Sequence, residues 1–152
     1  MRKLLPLLVL LALGCGGRGP QMPVPQSVNA SLEQFMAAVK ANDVDRLGGL
    51  WGTARGPAAQ WMDKVKLRQR LTVIQKYLEH TEYRVIEGPL PVPGRTDLRT
   101  YRVELQRAGC SQMVSIDIVR TRSGGWLVFD PHLESAGTPG TRCQPPGTGT
   151  GP

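Results

Sequence analysis

Residues 97–106 read DLRTYRVELQ, and the period of this stretch decides the fold class. Tyr101, Val103 and Leu105 alternate with Arg102, Glu104 and Gln106, so apolar and polar side chains fall on opposite faces of an extended chain. Downstream, Ala108-Gly109 marks a turn. Residues 111–121 (SQMVSIDIVRT) then repeat the alternation, with Val114, Ile116 and Ile118 opposite Ser115 and Asp117. Ser123-Gly124-Gly125 is a tight hairpin signal, and residues 126–130 (WLVFD) make a last strand before Pro131. Upstream, residues 82–87 (EYRVIE) read as the first strand. Three prolines and two glycines within residues 88–95 predict its end. Four successive strands joined by short connections predict an antiparallel meander.

Before residue 79 the apolar period is 3.6 instead of 2. Val28, Leu32, Phe35, Met36 and Val39 share one helical face, with Ser27 or Ser31 as the N-cap. Asn42-Asp43 breaks that helix, and Asp43 can cap a second, short one whose apolar side is Val44, Leu47, Leu50 and Trp51. Residues 52–57 (GTARGP) predict a turn. A third helix is expected over residues 58–78, with Trp61, Val65, Leu67, Leu71, Ile74 and Leu78 as its apolar positions. Lys64, Lys66, Arg68, Arg70 and Lys76 decorate its outside, as a solvated face or as a grip on an anionic surface. His80 follows it and reads as a cap beside the C-terminal dipole. Helices followed by strands predict an α+β domain over residues 27–134, with three N-terminal helices packed on a four-stranded antiparallel sheet.

The flanks differ in composition. Residues 16–26 (GGRGPQMPVPQ) exclude regular structure and, with Cys15, read as a Gly/Pro-rich tether over residues 15–26. Residues 135–152 are rich in Gly, Pro and Thr with the single charge Arg142, and read as a disordered tail. At the other end, Arg2 and Lys3 precede the apolar run 4–13, which fits an export signal over residues 1–14. Ten residues of helix reach roughly 15 Å, half of a bilayer core of about 30 Å, so this run is too short to span.

Ala12-Leu13-Gly14-Cys15 resembles the lipobox of bacterial lipoproteins, with Ala12 where Leu is commonest. The resemblance implies cleavage before Cys15, a thioether-linked diacylglycerol on its sulfur and an acyl chain of the palmitate kind on its amine. Several chains together hold a protein stably on a membrane. Gly16 in place of Asp implies an outer membrane, with the domain lipid-anchored in the cell envelope and facing the periplasm.

The chain has 19 basic and 12 acidic residues, net +7. Without Arg2 and Lys3 the balance is still basic, at +5. Export argues against nucleic acid as the partner, and solubility alone accounts for a balance of this size. Besides Cys15, the chain carries Cys110 and Cys143. Two thiols in an oxidising compartment are expected to pair, closing a loop of about 33 residues at a gain of roughly 3–4 kcal/mol. No metal-ligand spacing appears, and neither metal nor cofactor is expected.

Two stretches carry a second resemblance. Ala41-Asn42-Asp43-Val44-Asp45 with Leu47, Leu50 and Trp51, and Gly125-Trp126-Leu127-Val128 on the last strand, resemble nuclear transport factor two-like domains of the cystatin-like α+β type. That family implies a sheet curved into a cone around the first helices, often with a pocket inside. Phe35, Met36, Trp51, Tyr101 and Trp126 would be candidates to line it. The family includes ketosteroid isomerases, whose oxyanion Tyr aligns with Phe35 and whose general-base Asp would fall within residues 52–57, where no carboxylate occurs. Both roles are empty here.

Two functional classes and a structural one follow. The first is a non-catalytic module that binds a small apolar ligand or an envelope protein. The second is a cone-pocket enzyme of the isomerase, dehydratase or hydrolase type, with Asp130, His132 and Asp117 as acid or base. The third is a structural homodimer formed through the open sheet face, as the family resemblance implies.

Overall fold

The structure is a computed structural model describing residues 23–137 and Pro139. Helix α1 spans Val28–Lys40, and the Ser27 hydroxyl accepts the Ala30 N–H at 3.1 Å as its N-cap. Asn42, at φ 54°, turns the chain. Asp43 then caps α2, Val44–Leu50, by accepting the Arg46 N–H at 3.0 Å. Such a bond satisfies one of the donors that the first helical turn leaves open.

Residues 52–57 hold more than a turn. Strands β1 (Gly52–Thr53) and β2 (Gly56–Pro57) pair antiparallel as a miniature hairpin. The third helix also starts later than the periodicity implied. Ala58–Gln60 form one 3-10 turn, and α3 spans Lys64–Leu78 with Asp63 accepting the Lys66 N–H at 3.1 Å. The helix begins where a side chain can cap it, which Pro57 and Ala58 cannot do. The irregular step between Val65 and Leu67 has the same origin. Val65 is 65 % exposed, and the buried stripe of α3 is Leu71, Ile74 and Leu78.

Strands β3 (Glu82–Val92), β4 (Arg95–Arg107), β5 (Cys110–Arg120) and β6 (Trp126–Asp130) form one antiparallel sheet in chain order. Tyr101 pairs with Ile116, Val103 with Val114, and Ile118 with Val128. The fold is therefore α+β, with three helices, a four-stranded meander and a small second sheet. Strand β3 runs through the segment expected to end it. It is an edge strand with one partner, so Pro89 and Pro91 remove no bond the sheet needs. Gly88 lies at φ +117°, where a Cβ would come within 2.8 Å of the Thr100 carbonyl. Register shifts along β3 and its prolines also blunt the edge against further strand pairing.

One face of the sheet meets the helices. Tyr101, Val103, Leu105, Val114, Ile116 and Ile118 pack with Phe35 and Met36 of α1, Leu47 of α2, and Leu71, Ile74 and Leu78 of α3. Each such side chain contributes roughly 1.5–3 kcal/mol by leaving water. A smaller cluster of Leu98, Val119 and Leu127 is covered by Val24.

The packed unit is longer at both ends than the composition implied. The Pro25 carbonyl accepts the Trp126 N–H at 2.8 Å, so the end of the tether region lies on the β5–β6 hairpin. At the far end Ala136 is fully buried, its carbonyl accepts from Arg107 Nη1 at 2.8 Å, and Gln112 Nε2 donates to the Ser135 carbonyl at 2.8 Å. Val24 and Ala136 pack on the two apolar clusters, and hydrogen bonds to the Pro25, Ser135 and Ala136 carbonyls hold both segments there despite flanking Gly and Pro. The leader, Cys15, the rest of the tether, Cys143 and the remainder of the tail lie outside the described residues.

Candidate functional site

The three residues singled out as acid or base come together. Asp117 on β5 and Asp130 on β6 are register partners. His132 follows after Pro131 in a left-handed conformation, φ 36° and ψ 59°. That conformation is uncommon without glycine, and several bonds hold it. Asp130 Oδ1 accepts the His132 N–H at 3.1 Å, and the His132 carbonyl accepts from Ser135 Oγ at 2.8 Å and from the Ser135 N–H at 3.0 Å.

The ring is held as firmly. Its Nε2 lies 3.1 Å from Asp117 Oδ2, and its Nδ1 lies 3.0 Å from Glu134 Oε1. Asp117 Oδ1 in turn accepts from the Thr100 hydroxyl. Partial burial disfavours the charged ring, but the hydrogen bonds to Asp117 and Glu134 outweigh it and the His132 pKa is raised. A neutral imidazole can donate to only one of two carboxylates, whereas an imidazolium donates to both. Both ring nitrogens are thus taken up by carboxylates, and neither can act on a substrate without one of them being displaced. Glu134 is the partner that sequence reasoning missed; its only signal was a spacing of two residues.

The candidate pocket residues are dispersed. Phe35 and Met36 are fully buried in the core, and Tyr101 is 3 % exposed with its hydroxyl donating to Asn29 Oδ1. Trp126 packs at the core margin beneath the Arg99 guanidinium. Trp51 donates its indole N–H to the Phe129 carbonyl at 3.1 Å. It also lines an open groove of about 620 Å³ between α3 and the end of β6, together with Val73, Ile74, Phe129 and Asp130. A second groove, about 880 Å³, runs between α2 and α3. A third cavity, about 310 Å³, is bordered by Met36, Lys40, His80 and Tyr83. Phe35, Tyr101 and Trp126 line none of these three.

His80 does meet the end of α3, as a buried ring on the last helical carbonyl. It is 7 % exposed, its Nδ1 lies 2.8 Å from the Leu78 carbonyl, and its Nε2 is buried without a hydrogen-bond partner. Burial lowers its pKa, and nearby Lys40 and Arg107 push the same way, so the ring is neutral. The charge at this helix end comes from Arg107 on β4, which the sequence did not mark. Its guanidinium donates to the carbonyls of Tyr77, Glu79 and Ala136. Among the described residues no group of three or more His, Cys, Asp or Glu is arranged to hold a metal ion, and no helix is long and apolar enough to cross a membrane.

No protein-family model, no curated protein and no solved structure matches the chain.

Proposed function

We propose that this chain is a cell-envelope lipoprotein, anchored through Cys15 to the outer membrane and facing the periplasm. Its domain is a non-catalytic binding module of the nuclear transport factor two-like class, with the sheet curved as an open cone. It takes a small apolar ligand, or an envelope protein as its partner. In an oxidising compartment Cys110 pairs with Cys143, tying the tail to β5.

The observation that carries the non-catalytic reading is the double engagement of the His132 ring by Asp117 and Glu134. Of the apolar grooves along α3 that could receive a ligand, the one between α2 and α3 lies apart from this cluster, whereas the one at the end of β6 is bordered by Asp130 and Glu134. The core where a cone pocket would sit is filled by Phe35, Met36 and their neighbours. The test is purification of the acylated protein from its native envelope, followed by mass spectrometry of organic extracts. An apolar small molecule should copurify and should still copurify with an Asp130→Ala/His132→Ala variant.

A second reading, a cone-pocket enzyme, is favoured by the convergence of Asp117 on β5 with Asp130 and His132 at the end of β6. It requires that substrate displace Glu134 from Nδ1. If the double variant retains the ligand but loses its turnover, this second reading replaces the first.

A further inference from the structure

Helix α3 reads KVKLRQRLTVIQKYL: five cations and no carboxylate in fifteen residues. Four of them, Lys64, Lys66, Arg68 and Arg70, fall in its first seven positions. This is the wrong end for them. The N-terminus of a helix carries the positive pole of the macrodipole, and cations there destabilise it. A departure of this kind from a local rule, offset within the fold only by the Asp63 cap and one exposed ion pair, points to a place selected for something other than stability. Of these four, only Arg68 has an ion-pair partner among the described residues, Asp45 at 3.4 Å, and both side chains of that pair are largely in water.

The same end of α3 borders the α2–α3 groove. Its floor is apolar, formed by Val44 and Gly48 of α2 with Leu67 and Leu71 of α3. Gly48 keeps the floor deep; a Cβ there would fill space beside Leu67 and Leu71. Val65 and Val73 on the groove wall are 65 % and 48 % exposed, an apolar surface left in water. Lys64 and Arg68 line the groove from the N-terminal half of α3 together with one carboxylate, Asp45, the exposed partner of Arg68, so cations outnumber anions there by two to one; Thr72 and Val73 line it further along the helix. Lys64 and Val73 are nine residues apart, about 13 Å along the helix axis. The groove volume of about 880 Å³ is that of a small-molecule site.

We infer that the α2–α3 groove binds a free single-chain anionic amphiphile, a fatty acid in chemical class. Its acyl chain lies on Val44, Leu67 and Leu71, and its carboxylate sits between Lys64 and Arg68. This rests on the binding-module reading above and names its ligand class. The occupant is a dissolved single chain and not a bilayer, because the apolar surface is a groove between two helices and not a flat patch.

The test uses the full chain carrying Cys15→Ser, so that no attached acyl chain competes. Laurate and 1-dodecanol are titrated calorimetrically, each below its aggregation limit. The comparison protein also carries Lys64→Glu and Arg68→Glu. Lys64→Glu suits the first turn of the helix, whereas Arg68→Glu faces Asp45 across a largely solvated pair, so both proteins are melted alongside and titrated well below the lower transition, and lost binding then cannot be blamed on unfolding. Laurate should bind the parent at least tenfold more tightly than dodecanol, and the charge reversal should abolish that preference. Equal binding of laurate and dodecanol, unmoved by the reversal, would overturn the anionic-head assignment and leave the apolar-ligand reading standing. Binding of neither would overturn both. Binding only to anionic phospholipid vesicles would replace the free ligand by a membrane surface.

Discussion

Nε2 of His132 lies 3.1 Å from Oδ2 of Asp117, a contact that joins the segment after β6 to the middle of β5. With Glu134 on the other nitrogen, the ring pins the C-terminal 3-10 turn against the sheet. The pKa of His132 is raised in the fold, so the folded state binds the proton more tightly than the unfolded chain does. Stability from this contact is therefore fully present below the ordinary histidine value of about 6.5 and is lost as pH rises through the raised folded value. Urea unfolding of His132→Gln should show a larger loss of stability at pH 5.5 than at pH 8.5.

His80 behaves in the opposite sense. Its folded pKa is depressed by burial, so the unfolded chain binds the proton more readily. Stability is full above about 6.5 and falls as pH drops from there through the depressed folded value. His80→Phe should remove this acid-side loss and flatten the stability profile between pH 4.5 and 6.5. It also removes the contact to the Leu78 carbonyl, so the variant should start lower at pH 8. A profile as steep as that of the parent would show that His80 is not the group responsible.

Arg107 holds three carbonyls, those of Tyr77, Glu79 and Ala136, from a partly buried position. Arg107→Met keeps much of the stem packing but leaves these acceptors short of a donor. A loss of about 2–3 kcal/mol is expected from charge-assisted bonds of this kind. The amide of Ala136 should exchange with solvent faster as the turn loosens, a change readable by hydrogen exchange.

Gly125 is where the chain before α1 crosses the β5–β6 hairpin. A Cβ at residue 125 would come within 2.5 Å of Val24 Cγ1. Gly125→Ala should push this segment off and break the bond from the Trp126 N–H to the Pro25 carbonyl. The expected readout is faster amide exchange at Trp126, with β4 and its partner strand unchanged.

Much of this arrangement could be read from residue order, for reasons that differ by segment. The alternation in residues 97–121 and the caps Ser27 and Asp43 are local, and local signals place β4, β5, α1 and α2 within a residue or two. The prolines of β3 misled because their effect depends on whether a strand has one neighbour or two, a tertiary fact. The apolar position Trp61 suggested too early a start for α3, because a cap, here Asp63, decides where a helix begins. Asp117, Asp130 and His132 were legible as a set, but Glu134, which changes the chemistry of the set, was not. Asn29 on Tyr101 and Arg107 on the end of α3 are long-range partnerships with no sequence period to announce them.

The most direct test of the account is the mass of the N-terminal peptide from protein extracted out of its native envelope. The proposal requires a mature chain that begins at Cys15, with a diacylglyceryl thioether on its sulfur and an acyl group on its amine. A soluble, intracellular chain that still begins at Met1, with the Cys15 sulfur unmodified, would contradict it.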